Sequence, residues 1–369
     1  MDIQNYTLDT IRAVDAKFEA QKICFAPLSF QAVRALRELG VLRKISDAGD
    51  TGLTREEAAA ACGLPVYGVG VLVEMALALG VLRLRADTAG GPPGEERFIL
   101  GKIGWFLLED DMTVANFNFV NDVCYQGAFN LTESVQEGKP RGLSVFGESW
   151  ATIYDALAAL PHRARKSWFT FDHFYSDIAF PEALPLVFET KPRRLFDIGG
   201  NTAKWAIACC TYDKAVNVTI IDLPGQIAEA EKNAAAAGFA GRISCLPGNI
   251  LDAGTVFPPG ADVIWMSQFL DCFSPEKIGL IMGKIRAAVS PDTDIYVLEP
   301  LWDKQRFEAS AYSLQAISLY FTCMANGSSK MYRFTELNPA VEGAGFKLQS
   351  ARHDLSSHSY SLLRYRKIP

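Results

Sequence analysis

The residues with chemistry to offer sit around the run Arg194-Leu-Phe-Asp-Ile-Gly-Gly-Asn-Thr-Ala-Lys204 in a chain of 369 residues. Residues 195–198 read as a short buried strand, the pair Gly199-Gly200 breaks it, and residues 204–210 are apolar enough to begin a packed helix. In a strand, turn and helix of this kind, glycine has no Cβ to block a ligand, so backbone N–H groups approach it closely, and the helix amino end adds partial positive charge. The next β-branched run, 216–221, suits a parallel strand and ends at Asp222. A carboxylate at the end of the second strand, about 20 residues past a glycine turn, is placed to accept hydrogen bonds from ribose hydroxyls. Asp197 and Asp222 therefore bracket a crevice of nucleoside size.

Three segments carry a resemblance: Phe196-Asp-Ile-Gly-Gly-Asn-Thr-Ala203, Ile221-Asp-Leu-Pro224 and Gly248-Asn-Ile-Leu-Asp252. Together they resemble the class I S-adenosylmethionine-dependent O-methyltransferases, the type that includes plant caffeate and isoflavone enzymes and bacterial polyketide-tailoring enzymes. The resemblance implies S-adenosyl-L-methionine as methyl donor, S-adenosyl-L-homocysteine as product and a small-molecule acceptor. It places Asp197, Gly199 and Gly200 around the donor's amino-acid portion, Asp222 on its ribose and Leu223 beside the adenine. Asn249 and Ile250 fall at the adenine amino group and face, and Ser267 and Gln268 near the methyl. The family loop reads Asp-x-Gly-Gly-Gly-Thr-Gly; here Asn201 and Ala203 stand at its last two glycines.

Transfer from a sulfonium is an in-line displacement that demands alignment, and a phenol acceptor is helped by a general base within hydrogen-bond reach. The family supplies a histidine in a Leu-His-Asp-Trp pattern after the fourth strand. This chain reads Phe269-Leu-Asp-Cys-Phe-Ser-Pro-Glu276, with Asp271 at the histidine position. Glu299 matches a glutamate that flanks that histidine, while the second flanking glutamate falls near Met331. An ordinary carboxylate is a poor base for a phenol unless burial raises its pKa. Four readings stay open. Asp271 is a base of raised pKa; His173, in the aromatic run 169–177, has taken the role; the acceptor needs little help, as in carbon methylation of an activated ring or methylation of a carboxylate; or Asp271 caps a helix.

A small, aromatic, hydroxylated acceptor methylated on oxygen is the expectation, with carbon methylation or a catalytically inactive donor-binding or regulatory protein as alternatives. An NAD-dependent oxidoreductase is disfavoured, because Asn201 occupies the second glycine of G-x-G-x-x-G. The four histidines (162, 173, 353, 358) are scattered, so no metal site is expected.

These residues need a scaffold. Past residue 194 strands and helices alternate: strands at 243–246, 262–267 and 294–299, helices at 226–237, 275–288, within 307–324 and at 335–343, and a closing hairpin of 346–355 with 360–365. That pattern fits an α/β, doubly wound sheet, seven-stranded by the resemblance. The amino-terminal part is mainly helical. Helices are expected at 7–22, 27–39, 55–62 and 66–80, the third opened by a capping box at Thr54 and Glu57, and two strands at 81–85 and 97–100 form a wing. Residues 149–168 read as one long helix joining the domains, 1–168 and 169–369.

Helix, turn, helix and wing outline a winged-helix module, but residues 66–79 carry no lysine or arginine and one acid, Glu74, so base recognition is disfavoured. The module is instead expected to form a homodimer, as in the family. With 49% hydrophobic residues, 21% charged and a net charge of −6, the chain is globular and lacks the basic footprint of a nucleic-acid partner. Eight cysteines without C-x-x-C spacing, no signal peptide and no apolar run of 18 point to the cytoplasm and away from a membrane.

Overall fold

The computed structural model describes residues 6–92, 94–147 and 150–369, and of residues 173–176 the backbone alone. The chain divides into two compact units, 6–118 and 119–369.

The first unit is helical. Helix α1 (Ala13–Glu38) is continuous through Pro27, where two helices were expected. Along it Val14, Phe18, Ile23, Phe25 and Leu28 are exposed, and only Val33 and Leu36 are buried. Helices α2 (Val41–Asp47), α3 (Arg55–Cys62) and α4 (Val66–Ala78) follow. The capping box forms as the sequence predicts: the Glu57 amide donates to Thr54 Oγ1 at 3.1 Å and the Thr54 amide to Glu57 Oε2 at 2.9 Å. Gly63 (φ 65°) ends α3 in the left-handed region, and the chain bends through 119° into α4. Strands β1 (Leu82–Leu84) and β2 (Phe98–Leu100) pair antiparallel as the wing. Leu36, Leu42, Ile45, Val69, Val73, Leu82 and Phe98 share one core. Helices α5 (Lys102–Glu109) and α6 (Asp111–Phe119) complete the module.

In the second unit α7 (Leu131–Glu137), α8 (Ile153–Ala156), α9 (His162–Ser176) and α10 (Phe180–Val187) precede the sheet. The single long helix expected over 149–168 is absent. The short α8 ends at Ala156, and Pro161, which has no N–H to continue a helix and suits a helix start, leads directly into α9 at His162. Residues 119–168 group with the second unit, about fifty residues ahead of the expected boundary. Phe119 stacks on Phe171 of α9 with ring centroids 4.0 Å apart, one of the contacts that hold them there.

The sheet has seven strands: β3 (Arg194–Ile198), β4 (Asn217–Asp222), β5 (Ile243–Pro247), β6 (Val263–Ser267), β7 (Asp294–Glu299), β8 (Phe346–Leu355) and β9 (Tyr360–Lys367), in the order β5-β4-β3-β6-β7-β9-β8. The first five are parallel, and the closing hairpin is antiparallel. Helices α11 (Lys204–Tyr212), α12 (Pro224–Ala236) and α13 (Pro275–Ala288) join the strands, and α14 (Glu308–Tyr320) and α15 (Phe334–Gly343) precede the hairpin. Apolar side chains from Phe196, Ile264, Met266, Ile295, Val297 and Leu363 fill one core. After β3 the chain steps outward to β4 and β5, then returns to β6 on the other side. The loops at the carboxyl ends of β3 and β6 thus run apart and open a crevice.

Candidate active site

A cavity of about 420 Å³ lies at that edge, built wholly from residues 151–331 and so within the second unit. Its size lies within the range of small-molecule binding sites.

One end is made by the loops after β3, β4 and β5. Asp197, 2% exposed, lines the wall, and its buried Oδ2 has no partner. Burial, then the charge of Asp222, pushes its pKa up to about 8. Gly199 (φ 74°) turns the chain, and a Cβ there would run into the Phe269 ring. A Cβ on Gly200 would stand 2.7 Å from Asp197 Oδ2. Only glycine fits either place. Asn201 (φ 47°) and Ala203 (φ 69°) hold the left-handed backbone that favours glycine. The Asn201 amide donates to Asp222 Oδ2 at 2.8 Å and the Leu223 amide to Oδ1 at 2.7 Å. Those bonds oppose the rise in pKa that burial gives Asp222, and each oxygen keeps a lone pair for a ligand hydroxyl. Asn249 Oδ1 accepts from the Leu251 amide at 3.0 Å, which fixes the side chain beside Ile250. Leu223, Asn249 and Ile250 line the same end.

At the floor, Ser267 and Gln268 close β6. Ser267 Oγ and Gln268 Oε1 are buried without partners, and Gln268 is left-handed (φ 46°). Trp205 and Trp265 stack below with centroids 3.7 Å apart.

The other end is ring-walled by Tyr154, Trp168, Phe171, Phe269, Phe273 and Tyr320, with Met331 beside them. Asp271 stands here in a 3-10 turn (Leu270–Cys272), 4% exposed. Burial lifts its pKa to about 7, against a thiol hydrogen bond from Cys272 Sγ to Oδ1 at 3.4 Å. The turn is fastened from beneath: Glu299 Oε1 accepts the amides of Phe269 (3.1 Å) and Leu270 (2.9 Å). Burial, then Asp271, raises the Glu299 pKa well above the usual carboxylate range. Glu299 is 1% exposed and sits behind the turn, not at the cavity wall. Tyr332 donates to the Phe273 carbonyl at 2.6 Å and Asn326 Nδ2 to the Cys272 carbonyl at 3.0 Å, so the loop that carries Asp271 is held on three sides.

The structure thus gathers Asp197, Gly199, Gly200, Asp222, Leu223, Asn249, Ile250, Ser267, Gln268 and Asp271 around one space. The side chain of His173 lies outside the described residues. Sequence reasoning missed Asp172, which lines the cavity beside Tyr154 and Trp168; burial, then the charge of Asp271, lifts its pKa to about 7. The signal for it is the spacing 164, 168, 171, 172, which falls on one helix face. Among the described residues no group of three or more His, Cys, Asp or Glu side chains could hold a metal ion.

A parallel sheet with an antiparallel closing hairpin, a glycine turn and a carboxylate at the next strand's end define the nucleoside-binding sheet of the class I methyltransferases. Residues 129–347 match the O-methyltransferase domain and residues 17–88 a Dimerisation2-like domain, so the chain belongs to the O-methyltransferase family. It is similar to L-tyrosine C(3)-methyltransferase of Streptomyces lavendulae, 23% identical over 88% of this chain and 85% of that protein. Demethylspheroidene O-methyltransferase of Cereibacter sphaeroides is 25% identical over 86% of this chain and 78% of its own length. The solved apo structure of the S-adenosylmethionine-dependent methyltransferase SibL superposes with a TM-score of 0.70 at 23% identity, covering 94% of this chain and 98% of that one. The protein is an S-adenosylmethionine-dependent methyltransferase.

The residues present fit that donor. An unpartnered buried carboxylate at Asp197 and two glycines that admit no Cβ make a cradle for a cationic nucleoside.

Proposed function

We propose that the protein methylates the hydroxyl of a small aromatic metabolite, with Asp271 as general base. The observation that carries the reading is the position of Asp271: a buried carboxylate with its pKa lifted to about 7, facing a ring-walled end of the donor cavity. A base works best when its pKa lies near the working pH, and burial has moved an ordinary acid there. S-adenosylmethionine supplies an electrophilic methyl on sulfur when bound.

Asp222 would hold the ribose hydroxyls, Leu223 and Ile250 the adenine faces, and Asn249 the adenine amino group. Asp197, Gly199 and Gly200 would surround the amino-acid portion, with Ser267 and Gln268 near the methyl. The aromatic walls orient the acceptor ring, and Asp271 takes the hydroxyl proton as the oxygen attacks. Glu299 acts through the turn, holding the two amides that place Asp271.

Carbon methylation beside a phenol is the second reading. Asp271 would again remove the phenol proton, the ring carbon would take the methyl in place of the oxygen, and that carbon's own proton would then leave as the phenol hydroxyl is restored. The full-length similarity to a tyrosine C(3)-methyltransferase favours it. We further read the protein as a homodimer joined through the apolar face of α1, as its dimerisation domain suggests, working in the cytoplasm where its eight free cysteines stay reduced.

The test is incubation of the protein and donor with a panel of phenols, followed by mass and fragment analysis. A methyl added on oxygen supports the first reading and one on a ring carbon the second. A panel that yields S-adenosylhomocysteine from no phenol contradicts both.

A further inference from the structure

We infer that Asp172 binds the primary ammonium group of a ligand in the active-site cavity. The inference rests on the methyl-transfer reading only in taking this cavity as the site of donor and acceptor.

Residues 164, 168, 171 and 172 of α9 fall on one helix face, and Ala164, Trp168 and Phe171 are each less than 9% exposed. Trp168 Nε1 donates to the Tyr320 hydroxyl at 2.7 Å, and Phe119 stacks on Phe171 and meets Tyr320 edge-on at 4.9 Å. These interlocked rings line the same cavity as the carboxylate. Asp172 Oδ2 accepts from Asn201 Nδ2 at 3.1 Å. Among the described residues no other hydrogen bond reaches Asp172, which lines the cavity.

The charges around it are mostly negative. Among the described residues six aspartates line the cavity (155, 172, 177, 197, 222 and 271), and the single lining cation, Lys204, is paired with Asp177, though its charge also reaches Asp172. A carboxylate in a ring-walled space is costly when unpaired, and the negative faces of the rings add to the field that attracts a cation. An alkylammonium satisfies both the carboxylate and the rings, whereas an anionic group would meet repulsion from Asp172 and Asp271 together.

Two ligands carry such a group. Asn201 lies in the glycine turn, where the donor's α-ammonium is expected, and the charge of Asp271 acts on Asp172 from the acceptor end. Asp172→Asn separates them, because it keeps an oxygen for Asn201 and removes the charge.

Wild type and variant are titrated at pH 8 with S-adenosylhomocysteine and with 5'-methylthioadenosine, which lacks the amino acid. Then, loaded with S-adenosylhomocysteine, both are titrated with tyramine and with 4-ethylphenol. A fall of fivefold or more in the preference for S-adenosylhomocysteine over methylthioadenosine assigns Asp172 to the donor. The same fall in the preference for tyramine over ethylphenol assigns it to the acceptor. Both ratios within fivefold of wild type overturn the inference, as does failure of S-adenosylhomocysteine to bind the wild type. If neither phenol binds, the donor ratio alone decides. Should the variant not fold, Asp172→Ser is read in the same way. These are binding ratios, so a protein that methylates no phenol would lose the preceding reading and still answer this one.

Discussion

At the scale of single residues, the proposed chemistry turns on one substitution against the family pattern. An aspartate in water, with a pKa near 4, would be nearly useless to a phenol near 10. In its turn Asp271 is desolvated, and the mismatch shrinks to about three units because its pKa rises to about 7. The ionised form is the base, and it grows as pH rises through that value. The rate of acceptor methylation, as kcat/KM, is therefore expected to climb about tenfold per pH unit below 7 and level off above it. Asp271→Asn should lower kcat/KM by about 10²–10⁴ and abolish the sloping limb, the usual range for loss of a general base. A pH profile of the two proteins with one acceptor checks both. The aspartate itself was legible in the sequence, because the Phe269–Glu276 segment could be laid on a known pattern. Its burial was not, since that depends on Glu299 and Tyr332, thirty and sixty residues further on.

At the scale of elements, the strand-turn-helix around Gly199 explains why two non-glycine residues are tolerated in its loop. Asn201 uses its left-handed backbone to direct an amide at Asp222 and its side chain at Asp172, and so offsets part of the strain. Ala203 is left-handed, fully buried and has no polar group to offer in return. Ala203→Gly should stabilise the protein by about 1 kcal/mol, the cost of a Cβ in this region, read as a higher urea midpoint at unchanged slope. A lower midpoint would show that the methyl's packing outweighs the strain. The 3-10 turn under Asp271 gives a second case. Glu299→Ala leaves two amides without their acceptor and should destabilise by about 1–3 kcal/mol while lowering the rate. Glu299→Gln keeps the oxygen and should lose less than tenfold in rate; a loss as deep as that of Asp271→Asn would mean that Glu299 itself handles the proton. Local chemistry made much of this readable in advance: the Thr54 capping box, the parallel strands and the final hairpin follow from capping residues and apolar runs. The helix ends near Pro27 and Pro161 did not, because one proline was absorbed and the other broke the chain, and packing decides which.

For the whole molecule, two units of different character divide the work. The amino-terminal unit has a core of its own yet leaves Phe18, Ile23, Phe25 and Leu28 exposed along α1, more apolar surface than a free helix retains without a partner. Sedimentation should give a dimer, and Phe25→Asp with Leu28→Asp should shift it to monomer; an unchanged dimer would place the contact elsewhere. The division at residue 118 was not legible from composition, because residues 119–168 look like more of the same helical module and join the sheet unit through rings such as Phe119 and Phe171. What was legible is the set of glycines and acids at the strand ends, which line one cavity. The account stands on one cavity at the carboxyl edge of the sheet with its sugar contact on Asp222. Calorimetric titration of S-adenosylhomocysteine into wild type and Asp222→Ala tests it most directly. One site per chain in the micromolar range, weakened at least tenfold by the substitution, is the expected result; equal affinity in the two proteins, or no binding heat in the wild type, would contradict it.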